Sequence, residues 1–140
     1  MSARLPLSLL VSGLLVLPAS ASAATKNGIT PVAPKAGTSV PAGKSPTFKA
    51  RAKGPGTVWV HVCKSRKQDR NGVICHKASI GQARQQAGVF RYTPQFFDFP
   101  AFWLNSPGTY YWQARRIACQ GTTSDCRQEG PIVKFRVTGG

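Results

Sequence analysis

Carboxylates are what this chain has least of. Against 19 Lys and Arg, its 140 residues carry four Asp and Glu: Asp69, Asp98, Asp125 and Glu129. Acid–base catalysis or a carboxylate metal site needs two or more such groups within mutual reach. Asp69 and Asp125 fall in separate polar stretches that read as different hairpin loops. Neither a Gly-x-Ser-x-Gly elbow nor a His-Glu-x-x-His pair occurs. The inventory points away from an enzyme and implies no cofactor.

Long apolar runs are equally scarce. Residues 5–18 form one, broken only by small or turn residues, after a short positive start that includes Arg4. It is shorter than the roughly 20 residues a spanning helix needs. Ala21-Ser22-Ala23 then supplies a small-x-small cleavage pattern, so 1–23 is expected to be a signal peptide that is removed. No cysteine follows the run to accept a lipid, no second run exists, and no wall-sorting tail is evident. The expected product is a secreted, extracellular protein with no membrane span.

Loss of Arg4 takes Lys and Arg from 19 to 18 against four acids, a formal charge of +14. Such an excess resists self-association, which favours a monomer, and attracts anionic partners such as wall or envelope polymers. The bland alternative of equal weight is a basic surface that only keeps the protein soluble. Nucleic acid is the weaker partner, since no recognised nucleic-acid-binding pattern accompanies the charge.

Cysteine is missing until position 63, and then four appear: Cys63, Cys75, Cys119 and Cys126. An even number in a small exported domain reads as two disulfides, with three possible connectivities.

Residues 24–46 are rich in Pro, Gly, Ala, Ser, Thr and Lys and read as a flexible leader with a possible first edge strand. Residues 47–140 read as one domain without helical period. Over 47–52, Phe48, Ala50 and Ala52 alternate with Lys49 and Arg51. Over 57–64, Val58, Val60 and Val62 alternate with Trp59, His61 and Cys63. Phe90 and Tyr92 alternate with Val89 and Arg91; Tyr110, Trp112 and Ala114 with Tyr111, Gln113 and Arg115; Val133, Phe135 and Val137 with Lys134 and Arg136. Period-two patterning gives each sheet one core face, and two such sheets pack as a sandwich. The stretch 95–104, QFFDFPAFWL, breaks the alternation and reads as a crossover capping the core, or as an exposed aromatic patch for a partner.

The stretch LNSPGTYYWQARRI resembles the approach to strand F of fibronectin type III-like, immunoglobulin-like domains of bacterial secreted and surface proteins. PVAPKAGTSVPAGKSPTFKARA is similar to their A and B strands, VWVHV to strand C, GVFRYTP to strand E and GPIVKFRV to strand G. The resemblance implies an all-β, two-sheet antiparallel sandwich of about seven strands. It places a tyrosine corner on Tyr110, with Tyr111 as a rival. It also implies a role in adhesion, spacing or ligand binding. The four cysteines depart from the family's habit.

Under that strand assignment, Cys63 and Cys119 end antiparallel strands at opposite ends of the sandwich. That favours the local pairs Cys63–Cys75 and Cys119–Cys126, with Cys75 opening the next strand. The rival zinc set of His61, Cys63, Cys75 and His76 is disfavoured, because adjacent residues on a strand point to opposite faces. The same assignment lines one outer face with Trp59, His61, Tyr111, Gln113, Arg115, Lys134 and Arg136, flanked by a basic loop of Lys64, Arg66, Lys67 and Arg70. Aromatics interleaved with cations suit an anionic glycopolymer. The expectation is therefore a secreted, non-enzymatic binding or adhesion module. The alternative is a structural or inhibitor-like domain that uses the 95–104 crossover.

Overall fold

The computed structural model describes residues 24–75, 80–94, 104–119 and 126–139. Among them the chain is all-β, with eight strands and no helix long and apolar enough to cross a membrane. The strands are β1 Ile29–Ala33, β2 Ser39–Pro41, β3 Phe48–Ala52, β4 Thr57–Cys63, β5 Ile80–Gln86, β6 Val89–Tyr92, β7 Gly108–Ile117 and β8 Arg127–Thr138. They join edge to edge as β1-β3-β6-β5-β4-β7-β8-β2. All pairs are antiparallel except β2 with β8, so the sheet is mixed. The sequence led to about seven strands in two separate sheets. Among the described residues the strands number eight and join in one curled sheet.

The curl has its turning point in β5. Residues 80–83 pair with β4, whereas Arg84, Gln85 and Gln86 pair with β6. One strand thus serves both halves of the sheet. Gly81 makes room for β6 to pack close: a Cβ there would land on the ring of Tyr92, which fills the space a side chain would take. Beyond it, Ala87 and Gly88 both have positive φ, 49° and 74°, as a two-residue type I′ hairpin requires.

The curl brings the two halves face to face across one core. Phe48 of β3 lies 5.4 Å from Trp112 of β7 and 5.9 Å from Phe135 of β8, centroid to centroid. Tyr110 joins them 5.8 Å from Phe135. Val58, Val60, Val62, Ala114, Val133 and Val137 complete the inward row. Tilted and edge-on ring pairs of this kind add to the burial of large apolar surfaces. The indole N–H of Trp112 is not left bare: it donates to the Pro34 carbonyl at 3.0 Å. Tyr110 also donates its hydroxyl to the Ser106 carbonyl at 2.9 Å, tying β7 to the turn before it. That bond is made by Tyr110 and not by Tyr111, which stands half-buried on the opposite side of the strand.

The supposed leader needs revising. Residues 29–41 supply both edge strands, with Ile29 and Val40 buried. β1 pairs with β3 at one edge of the sheet and β2 with β8 at the other. Asn27 Nδ2 donates to the Glu129 carbonyl at 3.0 Å, and Gly37 N to the Lys134 carbonyl at 3.0 Å. Composition alone missed this, because a few apolar residues at strand spacing suffice to dock a Pro- and Gly-rich segment.

Disulfides join Cys63 to Cys75 and Cys119 to Cys126, with Cα separations of 6.1 and 4.7 Å. Cys75 does not open a strand. It sits in a turn with φ 47°, and β5 begins only at Ile80.

Candidate functional site

The outer face of β4, β7 and β8 carries the residues that the sequence marks for a ligand. Register places them in rows: Trp59 beside Arg115 beside Glu129, then His61 beside Gln113 beside Ile132, then Cys63 beside Tyr111 beside Lys134. Arg136 follows, opposite Thr109 on β7 and Ser39 on β2. The strands therefore bring these side chains to one face.

That face is nevertheless largely closed. His61, Gln113 and Arg115 are buried, at 1%, 0% and 4% exposure. Over Gln113 the cover is the loop 64–75 that the Cys63–Cys75 bond closes. Its Val73 and Ile74 are completely buried. Gln113 clamps it: Oε1 accepts from Ile74 N at 3.1 Å, while Nε2 donates to the carbonyls of Gly72 at 3.1 Å and Gly130 at 3.0 Å.

The loop holds its own shape through Asp69. Its carboxylate accepts from Asn71 N at 2.8 Å and Val73 N at 3.1 Å, a short side-chain-to-backbone turn typical of Asp before Asn-Gly. Gly72 N donates back to the Asp69 carbonyl at 3.0 Å. Two residues on from Gln113, Arg115 Nε lies 3.3 Å from Glu129 Oε1, both side chains being mostly buried.

The expected ligand face thus divides. His61, Gln113 and Arg115 are structural and inaccessible. Trp59 and Tyr111 are half-buried, and Trp59 Nε1 donates to Thr57 Oγ1 at 3.1 Å. Lys134 and Arg136 are exposed, as are Lys64, Arg66, Lys67 and Arg70 on the covering loop. Lys64 Nζ also stands 5.4 Å from the centre of the Tyr110 ring, a cation–π distance. Alternation separates core from outside, but it cannot tell a wet outside from one under a second layer. The signal that could have warned of the cover is the apolar pair Val73-Ile74 beside Cys75, in a loop otherwise polar.

Among the described residues no group of three or more His, Cys, Asp and Glu could hold a metal ion. Both thiols of the zinc alternative are joined in the disulfide, and its His76 lies outside the described residues. So do residues 95–103 of the aromatic crossover; Leu104, its last residue, is buried in the core. A second basic group, unremarked in the sequence, stands on the outside of β3, β6 and β5.

No protein-family model, curated protein or solved structure matches the chain.

Proposed function

We propose that the chain is a secreted, monomeric, non-enzymatic binding module for anionic envelope polymers, built as a fibronectin type III-like, immunoglobulin-like sandwich. Three features support the fold reading. The two halves of the curled sheet face one another across the aromatic core. The first two strands divide between opposite halves. Tyr110 also makes the hydroxyl-to-backbone bond that the tyrosine corner of such domains makes. Two disulfides are consistent with an extracellular location.

The observation that carries the binding reading is the set of exposed cations at one end of the molecule. Lys64, Arg66, Lys67 and Arg70 ride on a loop held rigid by a disulfide and by Gln113, with Lys134 and Arg136 exposed on β8. A basic surface on a pre-shaped support loses little entropy on binding and selects for polyanions. Asp69 is the one acidic residue in 64–75, so its single charge offsets only one of the four cations there.

Retention on immobilised heparin across a salt gradient tests this. The expected result is binding at low salt that falls steeply as salt rises. The triple variant Arg66→Gln/Lys67→Gln/Arg70→Gln is expected to elute at lower salt than the parent. Absence of retention at low salt would refute the reading.

A further inference from the structure

The outside of the β3–β6–β5 half of the sheet differs from its counterpart in having no covering segment among the described residues. Register sets three cations directly in line across it. Lys49 of β3 stands opposite Arg91 of β6, and Arg91 stands opposite Arg84 of β5. Arg51 follows Lys49 two residues along the same face, exposed like Arg84. Like charges directly opposite one another disfavour a sheet, and a fold has no internal reason to collect them.

Among the described residues none of these cations has a carboxylate partner. The described acids are engaged elsewhere, Asp69 by its own loop and Glu129 by Arg115. Arg91 is half-buried and its Nε, shielded from solvent, has no hydrogen-bond partner. Among the described residues the row is thus both close-spaced and unneutralised.

Its neighbours indicate what would lie there. Gln82 and Gln86 flank Arg84 on the same face of β5 and are exposed, offering amide donors and acceptors. Gln82 stands opposite Trp59 on β4, whose indole N–H bond to Thr57 Oγ1 lays the ring along the strand toward the end where Arg84 stands. Strand spacing of about 4.8 Å puts the three cations along one line about 10 Å long. A single line of cations suits one linear chain, whereas a lipid surface would meet a broad basic plane. Exposed amides and a half-exposed indole beside that line suit hydroxyls and sugar rings. Guanidinium forks suit sulfate, phosphate or carboxylate oxygens.

We propose that Lys49, Arg91 and Arg84, with Gln82, Gln86 and Trp59 beside them, form a second binding row that takes an anionic glycan across the strands. This rests on the polyanion reading above but names a different face from the covering loop.

The test compares variants of equal charge loss in binding to a heparin oligosaccharide, measured at several salt concentrations. Lys49→Gln/Arg84→Gln removes two cations from the row; Lys26→Gln/Lys44→Gln removes two exposed cations elsewhere. The row variant is expected to lose about tenfold or more in affinity and to lower the salt slope by about two, against a fall of about threefold or less for the control. Trp59→Ala is expected to weaken binding with the salt slope unchanged, because it removes stacking and not charge. An unchanged thermal midpoint in the row variant excludes misfolding as the cause.

Equal losses in the row and control variants would overturn the row and leave the covering loop as the site. Loss in the row variant with none in the Arg66→Gln/Lys67→Gln/Arg70→Gln variant would sustain the row and refute the loop. If single-stranded DNA or phosphatidylglycerol vesicles bound as tightly, with the same dependence on Lys49 and Arg84, the assignment to a glycan would fall. A parent protein that bound none of these at low salt would overturn both readings.

Discussion

The two outer faces of one curled sheet have met opposite fates. On the β4–β7–β8 side, Gln113 clamps a disulfide-closed loop to the sheet, and a histidine, a glutamine and an arginine of that face are buried. On the β3–β6–β5 side, cations stand in register on a face without such a cover among the described residues. Both sides show the same alternation of apolar and polar residues in sequence. The difference teaches that a polar outward residue has two uses: it can meet solvent and ligand, or it can hold a second layer in place. Gln113 does the latter, because an amide buried under a loop can satisfy several backbone groups at once.

Substitutions should separate the faces, and the largest effect is expected at the clamp. Gln113→Ala would leave Ile74 N–H and the Gly130 carbonyl buried without their partner. A loss of about 3 kcal/mol is expected in urea unfolding, since each orphaned buried group costs about 1–3 kcal/mol. Faster amide exchange in residues 72–74 would show that the cover is what loosens. If stability moved by only a few tenths, the glutamine would not be holding the loop.

Opening the loop covalently comes next. Cys63→Ser/Cys75→Ser removes a cross-link of sequence separation 12, and the chain-entropy model puts its contribution at about 2–3 kcal/mol. The double variant should remain folded with a lowered denaturation midpoint, and the amides of Val73 and Ile74 should exchange faster. The β3–β6–β5 row should keep its heparin affinity in this variant, because Lys49, Arg91 and Arg84 stand on strands outside residues 64–75.

Tyr110→Phe belongs to neither face and serves as a reference. It removes the hydroxyl and its bond to the Ser106 carbonyl and should cost about 1 kcal/mol, read from the chemical denaturation midpoint. Its heparin elution should match the parent, so a shift there would mean that stability, and not surface charge, governs retention.

The smallest effect should have the opposite sign. Lys49→Glu places a carboxylate opposite Arg91 and turns a repulsive cross-strand pair into an attractive one. A gain of about 0.2–1 kcal/mol is expected from such a pair, together with weaker heparin retention than Lys44→Glu, which changes the net charge equally. A variant that is more stable and binds less would separate the demands of folding from those of recognition.

Much of the inward half of the molecule was legible beforehand. Phe48, Ala50, Val58, Val60, Val62, Tyr110, Trp112, Ala114, Val133, Phe135 and Val137 were marked by alternation, and all are buried. The edge strands were less legible. Ile29 and Val40 are isolated apolar residues in a Pro- and Gly-rich stretch, and what makes them core residues is the partner strand each finds far along the chain. The outward half was the least legible. Trp59, Tyr111, Lys134 and Arg136 remain at least partly accessible, while His61, Gln113 and Arg115 do not. Nothing in β4 or β7 distinguishes the two groups; for Gln113 the distinction lies in the segment 72–74 that docks on it.

By itself the sequence determined the class of the fold, the side of each strand that faces the core, the excess of cations and the supply of four cysteines. These follow from local rules, since the period of a strand is two wherever it runs and charge is a matter of counting. Only the tertiary structure decided that one strand, β5, serves both halves of the sheet, that residues 64–75 fold back onto β7, and that Lys49, Arg91 and Arg84 fall into one line. Register and loop docking depend on contacts between residues tens of positions apart, and a one-residue slip in register would scatter that line to opposite faces.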